Sequence, residues 1–326
     1  MTIGVVIPCH RQERFLPRTL AALERALAGR AWRGVLVIAS PGGEALPPLG
    51  PTWSVVAPPV SRPLTPGAAR MLGFSACGGE WVLFVDADVE VEAAWVDEAI
   101  AVATREPSLA GVWGRLEEWF VDGAHVRPGV PDLYRVGSEE RAVAYLATLA
   151  FYRREALLHA GGYDPRLQSE EDYELGLRLR QLGLSMRSLG RLAGRHWSAP
   201  RPSFGELGRR WKTGLCFGQG QVLRLYLGRP GLAELLRRQT LNLATLGLWT
   251  LGVAALVASA LSGRVAPLAL WLGAVLLVLA VMTARKRSPR LALHSLLSWT
   301  INGFGLAVGF LRGPRFERVP PREASC

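Results

Sequence analysis

Three long, uncharged apolar segments in the last third of the chain constrain its fold more than any other feature. They cover residues 240–262, 265–284 and 291–311, and none of them contains Asp, Glu, Lys or Arg. About 20 helical residues span a hydrocarbon core of ~30 Å, so segments of this kind are typical of transmembrane helices. We predict an α-helical membrane region over residues 231–326, with two transmembrane helices at about 240–262 and 265–284 and a third apolar segment at 291–311.

Basic residues flank the first two segments unevenly. Arg237 and Arg238 precede the first segment and four basic residues at 285–290 follow the second, whereas only Arg264 lies between them. The positive-inside rule then places residues 1–238 and 285–290 in the cytoplasm. We therefore expect a multi-pass protein of the plasma membrane whose N-terminal domain is cytoplasmic.

The third apolar segment fits this rule less well. A full span over 291–311 would carry the basic residues that follow it, Arg312, Arg315, Arg318 and Arg322, to the outer side of the membrane. We therefore expect this segment to be re-entrant or interfacial. Gly305 and Gly309 are four residues apart, a spacing that favours close helix packing.

The net charge of +11 is concentrated in the C-terminal region, and this argues against a nucleic-acid partner. Residues 231–326 contain 11 basic and 3 acidic residues, and residues 1–230 contain the other 27 and 24. A nucleic-acid-binding domain carries its basic residues on its own surface, so we predict a membrane and no nucleic acid as partner. The four cysteines show no CxxC spacing, which fits a reducing compartment without a zinc site.

Before residue 231, short apolar runs alternate with helical patterns. We predict strands at 3–7, 35–39, 53–57, 81–85, 110–115, 147–152 and 185–189, and helices at 15–27, 66–77, 93–103 and 171–182. Such alternation predicts an α/β domain with a mostly parallel sheet, covering residues 1–230.

Asp86 and Asp88 directly follow the predicted strand at 81–85. Ligands of open α/β sheets bind outside the carboxyl ends of the strands. Two carboxylates one residue apart in a turning chain can reach one hard cation, such as Mg²⁺ or Mn²⁺. The alternative is a solvated acidic turn.

Four other side chains are candidates for the same site, and each has a structural alternative. Glu171 and Asp172 begin a predicted helix, where capping and the helix dipole would stabilise them without any catalytic role. Arg70 could bind phosphate through its bidentate guanidinium. His196, just beyond the predicted strand at 185–189, has no metal-ligand spacing by itself.

Six motifs occur in a fixed order along the chain. They are Val-Val-Ile-Pro at 5–8, Gly-Ala-Ala-Arg-Met-Leu-Gly at 67–73, Gly-Glu-Trp-Val-Leu-Phe-Val-Asp-Ala-Asp at 79–88, Gly-Gly-Tyr-Asp at 161–164, Glu-Asp-Tyr-Glu-Leu at 171–175 and His196. Over residues 3–225 this ordered set resembles an inverting family 2 glycosyltransferase. The resemblance implies a GT-A fold, a Rossmann-like nucleotide-diphospho-sugar transferase domain, followed by the helical membrane region.

The resemblance also implies roles for individual residues. Asp172 would be the general base, with Glu171 beside it. The donor would contact Pro8, Arg70, Asp86 and Ala87. A divalent metal, Mn²⁺ or Mg²⁺, would bind Asp88, Asp86 and His196. The acceptor side would include Gly162, Tyr163, Asp164 and Trp211, although Trp211 could instead belong to the core or to a membrane-interface belt.

The implied enzyme moves a sugar from a nucleotide-diphosphate donor to a hydroxyl of a membrane-associated or lipid-linked acceptor. The segment 35–40 lacks the paired aspartates that usually end this strand in the family, so no uridine donor is implied. The family's QxxRW pattern is incomplete at 206–211, so we predict transfer of a single sugar. The alternatives are a polyprenyl-phosphate sugar synthase, whose ionised acceptor needs no base, and a non-catalytic transferase-like membrane subunit.

Overall fold

The computed structural model describes residues 1–43, 45–59, 61–106, 108–199 and 203–314. The chain forms two compact units, one within residues 1–200 and one within residues 201–314. The division between catalytic and membrane regions predicted at residue 230 stays a prediction.

The first unit alternates strands and helices over most of its length. Its strands are β1 (Ile3–Cys9), β2 (Trp32–Ile38), β3 (Trp53–Val56), β4 (Trp81–Val85), β5 (Val89–Val91), β6 (Leu109–Asp122), β7 (His125–Pro128), β8 (Arg141–Ala142), β9 (Leu149–Arg153) and β10 (Ser185–Ser198). Its helices are a 3-10 turn (Glu13–Phe15), α1 (Leu16–Ala26), α2 (Pro66–Ala76), α3 (Ala93–Arg105), α4 (Arg154–Ala160) and α5 (Glu171–Gln181).

Within the described residues these ten strands form one sheet, in the order β3-β2-β1-β4-β9-β6-β10-β5, with β7 beside β6 and β8 beside β10. The strands from β3 to β4 are parallel. In the other half, β9 runs antiparallel to β4 and β6, and β5 runs antiparallel to β10. The α/β prediction is confirmed, but the sheet is more mixed than the alternation of elements indicated.

Both faces of the sheet are covered by helices. Successive residues of one strand point to opposite faces, so Val5 of β1 lies in the core under α1 and α3, while Val6 lies in the core under α2, α4 and α5. Coverage of both faces explains why the central strands β1 and β4 are apolar without polar alternation.

The second unit is helical. It contains α6 (Ser203–Lys212), α7 (Gly218–Leu225), α8 (Leu232–Arg238), α9 (Thr240–Ser262), α10 (Ala266–Lys286) and α11 (Pro289–Arg312). Among the described residues, α9, α10 and α11 are the three helices long and apolar enough to cross a membrane. The re-entrant or interfacial placement predicted for 291–311 stays a prediction, and Arg315, Arg318 and Arg322 lie outside the described residues.

Candidate active site

The loop after β4 is held in place by backbone contacts. The Val89 amide donates to the Asp86 carbonyl at 3.0 Å, which closes a tight turn. The Thr19 hydroxyl, from the buried face of α1, donates to the Ala87 carbonyl at 2.9 Å. The carboxylates of Asp86 and Asp88 therefore project from a fixed backbone at the carboxyl end of a central strand.

His196 reaches this loop because β10 is longer than the sequence indicated. The predicted strand at 185–189 extends to Ser198, and its last part pairs antiparallel with β5, which places His196 opposite Val89. The Trp197 amide donates to the Asp88 carbonyl at 2.8 Å. The His196 Nε2 atom lies 3.5 Å from Asp88 Oδ2.

The carboxylate of Asp88 is buried and only partly satisfied. Gln12, just after β1, donates from Nε2 to Asp88 Oδ2 at 2.5 Å. Asp88 Oδ1 and His196 Nδ1 are buried and make no hydrogen bond within the described structure. Burial raises the pKa of Asp88 to about 6, although His196 and Gln12 act in the opposite direction.

Arg70 joins the two acidic parts of the site. It lies on α2, which begins after Thr65, whose hydroxyl accepts from the Ala68 amide at 3.1 Å. The Arg70 side chain is 6% exposed; Nη2 donates to Asp86 at 3.0 Å, and Nη1 donates to Glu171 and, at 3.4 Å, to Asp172. Burial works against a charge on Arg70, but the surrounding carboxylates hold the pKa of its guanidinium well above the ordinary value.

The acidic pair at the start of α5 is turned toward Arg70. The preceding residue, Glu170, adopts a left-handed conformation with φ of +67°, and its side chain does not cap the helix. Burial raises the pKa of Asp172 well above its ordinary value despite the opposing effect of Arg70, and it also raises the pKa of Glu171. A carboxyl group with a raised pKa suits proton abstraction near neutral pH better than an ordinary aspartate does.

α2 and α5 approach each other closely at one glycine. A Cβ atom at Gly67 would lie 2.6 Å from the Asp164 carbonyl oxygen and 3.2 Å from the Glu171 Cβ atom. Only glycine allows this approach, which brings Arg70 within reach of Glu171 and Asp172.

The turn at residues 161–164 contains three of the residues predicted for the acceptor side. Gly162 has φ of +68°, and its amide donates to the Leu157 carbonyl at 2.8 Å, so it ends α4. The Tyr163 ring is buried and lies 5.2 Å from the Phe84 ring, and Asp164 pairs with Arg166 at 2.7 Å. These contacts fix the turn locally, and the acceptor role predicted for Gly162, Tyr163 and Asp164 stays a prediction.

Trp211 lies on α6 in the second unit, where its ring packs edge-on against Phe217 at 5.3 Å. Pro8 lies within β1 and pairs with Val37. The acceptor role predicted for Trp211 and the donor role predicted for Pro8 stay predictions.

The structure thus brings together Arg70, Asp86, Glu171 and Asp172 in one ionic network, and Asp88 with His196 beside it. Sequence reasoning missed Gln12 and Thr19. Gln12 could have been found because it follows β1, whose carboxyl end lies beside that of β4 in a parallel sheet. Thr19 gave no signal beyond its place on the buried face of α1.

The residues around Asp88 provide part of a binding site for a divalent cation. Asp88 offers a buried oxygen without a partner, and carboxylate oxygens are the ligands that Mg²⁺ and Mn²⁺ prefer. Over the described ranges, no group of three His, Cys, Asp or Glu side chains is close enough to hold a metal unaided. Metals of this kind are often bound by one or two carboxylates together with substrate phosphates, and the arrangement here fits that mode.

The chain is similar to known glycosyltransferases in sequence and in fold. Residues 60–158 match the profile described as Glycosyl transferase family 2, a range that contains Arg70, Asp86 and Asp88. The chain is 27% identical over 202 residues to the pre-mycofactocin glycosyltransferase of Mycobacterium tuberculosis, covering 57% of this chain and 40% of that protein. It therefore spans less than half the length of the curated relative that it matches.

Two solved structures are similar in fold. One is the mannosyltransferase PcManGT from Pyrobaculum calidifontis in complex with GDP-Man and Mn²⁺, with a TM-score of 0.58 and 16% identity, covering 95% of this chain and 86% of that one. The other is residues 1–349 of S. aureus TarS in complex with UDP-GlcNAc, with a TM-score of 0.52 and 15% identity, covering 95% and 91%.

The fold and the site together define the class of protein: a mixed α/β domain of the GT-A type, followed by three long apolar helices. Over residues 60–158 the chain is similar to glycosyl transferase family 2.

Proposed function

We propose that this protein is a membrane-anchored, inverting glycosyltransferase. It moves one sugar from a nucleotide-diphosphate donor to a hydroxyl of a lipid-linked or membrane-surface acceptor, with its catalytic domain on the cytoplasmic side. The family 2 profile and the relatives with glycosyltransferase names support this activity. The long apolar helices and their basic flanks support the anchor.

One observation carries the proposal. Two segments that are far apart in the chain supply acidic side chains to one buried arginine, with Asp86 from the loop after β4 and both Glu171 and Asp172 from the start of α5. Burying several carboxylates is costly unless they are paired. A scaffold that maintains this arrangement at the carboxyl end of its sheet is typical of a reaction site.

In the proposed reaction, Asp172 removes the proton from the acceptor hydroxyl as its oxygen attacks the anomeric carbon. The bond from that carbon to the donor diphosphate breaks, and the diphosphate leaves with the electron pair. Burial favours the neutral form of Asp172, so proton uptake by this residue is less costly than for a solvated aspartate. One displacement from the side opposite the leaving group inverts the anomeric centre.

A divalent cation is part of the proposal. Asp88, with Asp86 and His196 nearby, would hold Mn²⁺ or Mg²⁺ together with the donor diphosphate. When bound, the cation neutralises the charge that develops on the leaving group. Gln12 holds one oxygen of Asp88 and leaves the other available.

We propose a positioning role for Arg70, in place of the donor contact that its sequence motif implies. Its guanidinium is buried and occupied by protein carboxylates. We therefore assign it to positioning Asp86 and Asp172 relative to each other. In this proposal it does not bind the donor phosphates directly.

Replacement of Asp172 by Asn tests the base assignment in the full-length protein. Purified enzyme would be incubated with radiolabelled UDP-, GDP- and dTDP-sugars and a total lipid extract, and labelled lipid would be counted. We expect transfer to be lost in Asp172→Asn while nucleotide binding is kept. Glu174→Gln is the matched control, because Glu174 lies on the same helix and pairs with Arg178 at 2.5 Å.

Full transfer by Asp172→Asn would contradict the base assignment and would favour a polyprenyl-phosphate acceptor, which is already ionised. Absence of transfer by the wild-type protein with every donor and lipid would favour a non-catalytic membrane subunit.

A further inference from the structure

The middle of α11 crosses the beginning of α9. The Trp249 indole Nε1 donates to the Thr300 hydroxyl at 2.9 Å. A Cβ atom at Gly303 would lie 2.9 Å from the Asn242 carbonyl oxygen. The contact on α9 therefore involves its first ten residues, while the contact on α11 lies near its centre.

This position does not fit a third span that runs beside α9. Gly303 lies 14 residues after Pro289, or about 21 Å along a helix at a rise of 1.5 Å per residue. If α9 and α11 started at the same membrane surface and ran side by side, Gly303 would meet α9 at about residue 254. Large apolar side chains on the later part of α9 are instead exposed: Leu256 is 55% exposed and Leu261 is 85% exposed.

The second half of α11 packs against a short polar helix. A Cβ atom at Gly305 would lie 2.6 Å from the Cys216 carbonyl oxygen, and one at Gly309 would overlap the Phe217 carbonyl. These residues directly precede α7, which has only eight residues. The two glycines thus make the close packing that their spacing predicts, with α7 as the partner.

α7 contributes polar contacts that do not belong in hydrocarbon. Gln221 donates to the Gly313 carbonyl at 3.2 Å, and Arg224 donates to the Phe310 carbonyl at 3.0 Å. An arginine at the centre of a bilayer is strongly disfavoured. This part of α11 therefore lies where α7 also lies, outside the hydrocarbon core.

The start of α11 lies at the basic end of the apolar helices. α9 and α10 run antiparallel, as the Leu268 amide donates to Ser259 and the Trp271 indole donates to the Leu248 carbonyl. The end of α10 thus returns to the level at which α9 begins. There Lys286 donates to Ser295 at 2.6 Å, in the second turn of α11.

The exposed face of α11 is apolar. Leu293, Leu297, Phe304 and Leu311 follow each other at four and seven residues, which places them on one stripe. They are 45%, 38%, 42% and 75% exposed, while the opposite face is buried against protein. An amphipathic helix with basic residues at its ends is typical of a helix lying in the membrane interface.

We propose that α11 is an interfacial helix rather than a third span. It lies along the cytoplasmic surface of the membrane, with the stripe of Leu293, Leu297, Phe304 and Leu311 against the acyl chains. Basic residues beside it, such as Arg290 and Arg312, contact anionic lipid headgroups. This inference rests on the membrane anchor of the proposed function and adds its topology: two spans, with Arg238 and Arg312 on the same side.

Cysteine labelling of the full-length protein in intact cells tests the inference. Cys326, which lies outside the described residues, would be replaced by Ser, and the other three cysteines are buried. Single cysteines would then be introduced as Arg264→Cys, Arg287→Cys or Arg312→Cys. A membrane-impermeant maleimide should label Arg264→Cys in intact cells, and the other two only after the membrane is opened.

Labelling of Arg312→Cys in intact cells, together with Arg264→Cys, would overturn the inference and show a third span. A different pattern, with no variant labelled in intact cells and all labelled after opening, would overturn the membrane anchor itself. Pro314→Cys repeats the readout two residues after Arg312, and nucleotide binding by each purified variant shows that it has folded.

Discussion

The guanidinium of Arg70 lies 3.4 Å from the carboxylate of Asp172 and donates to it while it also pairs with Asp86. The buried guanidinium of Arg70 therefore connects Asp86, which is proposed to bind the metal, with Asp172, which is proposed to act as the base. The distance between the two halves of the site depends on this one side chain.

Loss of the Arg70 charge should destabilise the protein strongly. Arg70→Met keeps the length of the side chain but leaves the carboxylates of Asp86, Glu171 and Asp172 without their cation. Breaking a buried ion pair in this way costs about 3–5 kcal/mol, so we expect a clear fall in the thermal unfolding midpoint of detergent-purified protein.

Arg191→Met is the control for this change. Arg191 pairs with Glu98 at 2.7 Å, but its side chain is 70% exposed, and such a surface pair is worth roughly 0–1 kcal/mol. Equal unfolding midpoints for the two variants would show that the network around Arg70 contributes no special stability.

Loss of the hydrogen bond from Gln12 to Asp88 should lower the affinity for Mn²⁺. Gln12 donates to Asp88 at 2.5 Å and fixes the orientation of the carboxylate. Loss of such an outer partner typically costs 10–100-fold in metal affinity, so we expect Gln12→Ala to raise the Mn²⁺ concentration for half-maximal transfer by about that factor. Gln181→Ala, at the far end of α5, should leave it unchanged, and an equal response of the two variants would contradict the role of Gln12.

The transfer rate should fall in acid because Asp172 must be ionised to accept a proton. Burial raises the pKa of Asp172, so the loss should begin at a higher pH than for a solvated aspartate, whose pKa is about 3.9. Measurement of kcat/KM against pH at saturating Mn²⁺ checks this, because bound metal keeps Asp88 ionised. A rate that stays constant down to pH 4 would contradict the assignment of Asp172 as base.

The glycine between α2 and α5 should not tolerate a side chain. In Gly67→Ala the new methyl group would lie 2.6 Å from the Asp164 carbonyl oxygen, in the turn before α5, and 3.2 Å from the Glu171 Cβ atom on α5. The turn and α5 must therefore move away from α2, which withdraws Asp172 from Arg70. Such overpacking costs typically 1–3 kcal/mol, and we expect transfer to fall at least about tenfold, since small displacements of a site have large effects on rate.

Gly78→Ala is the matched control for Gly67→Ala, because no atom lies within 4 Å of a Cβ added there. Wild-type transfer by Gly67→Ala would mean that the distance between α2 and α5 does not control the site.

Much of the fold could be predicted from local patterns. β1, β2 and β4 each contain a buried apolar run, and the helices after them have regular spacing, so sequence alone placed them within a few residues. The antiparallel pairing of β5 and β9 was harder to predict, because it depends on partners distant in the chain. β5 has only three residues, too few for any periodic signal.

The site was predictable in its residue types but not in its connections. Asp86 and Asp88 were identified from their place at a strand end. The partner of Glu171 and Asp172 was not identified, because both helix capping and catalysis explain acidic residues at a helix start. Their contact with Arg70 is a tertiary one that no local pattern indicates. The predicted strand at 185–189 stopped short of His196 because Gly190 and Gly194 interrupt the apolar pattern, although the strand continues through them.

Calorimetric titration of the purified full-length protein with UDP, GDP and dTDP, each with and without Mn²⁺, tests the central claim most directly. The account predicts that one nucleoside diphosphate binds, that binding requires Mn²⁺, and that Asp88→Asn abolishes it while the protein remains folded. Absence of binding by any of the three to folded wild-type protein, or binding that depends on neither Mn²⁺ nor Asp88, would contradict it.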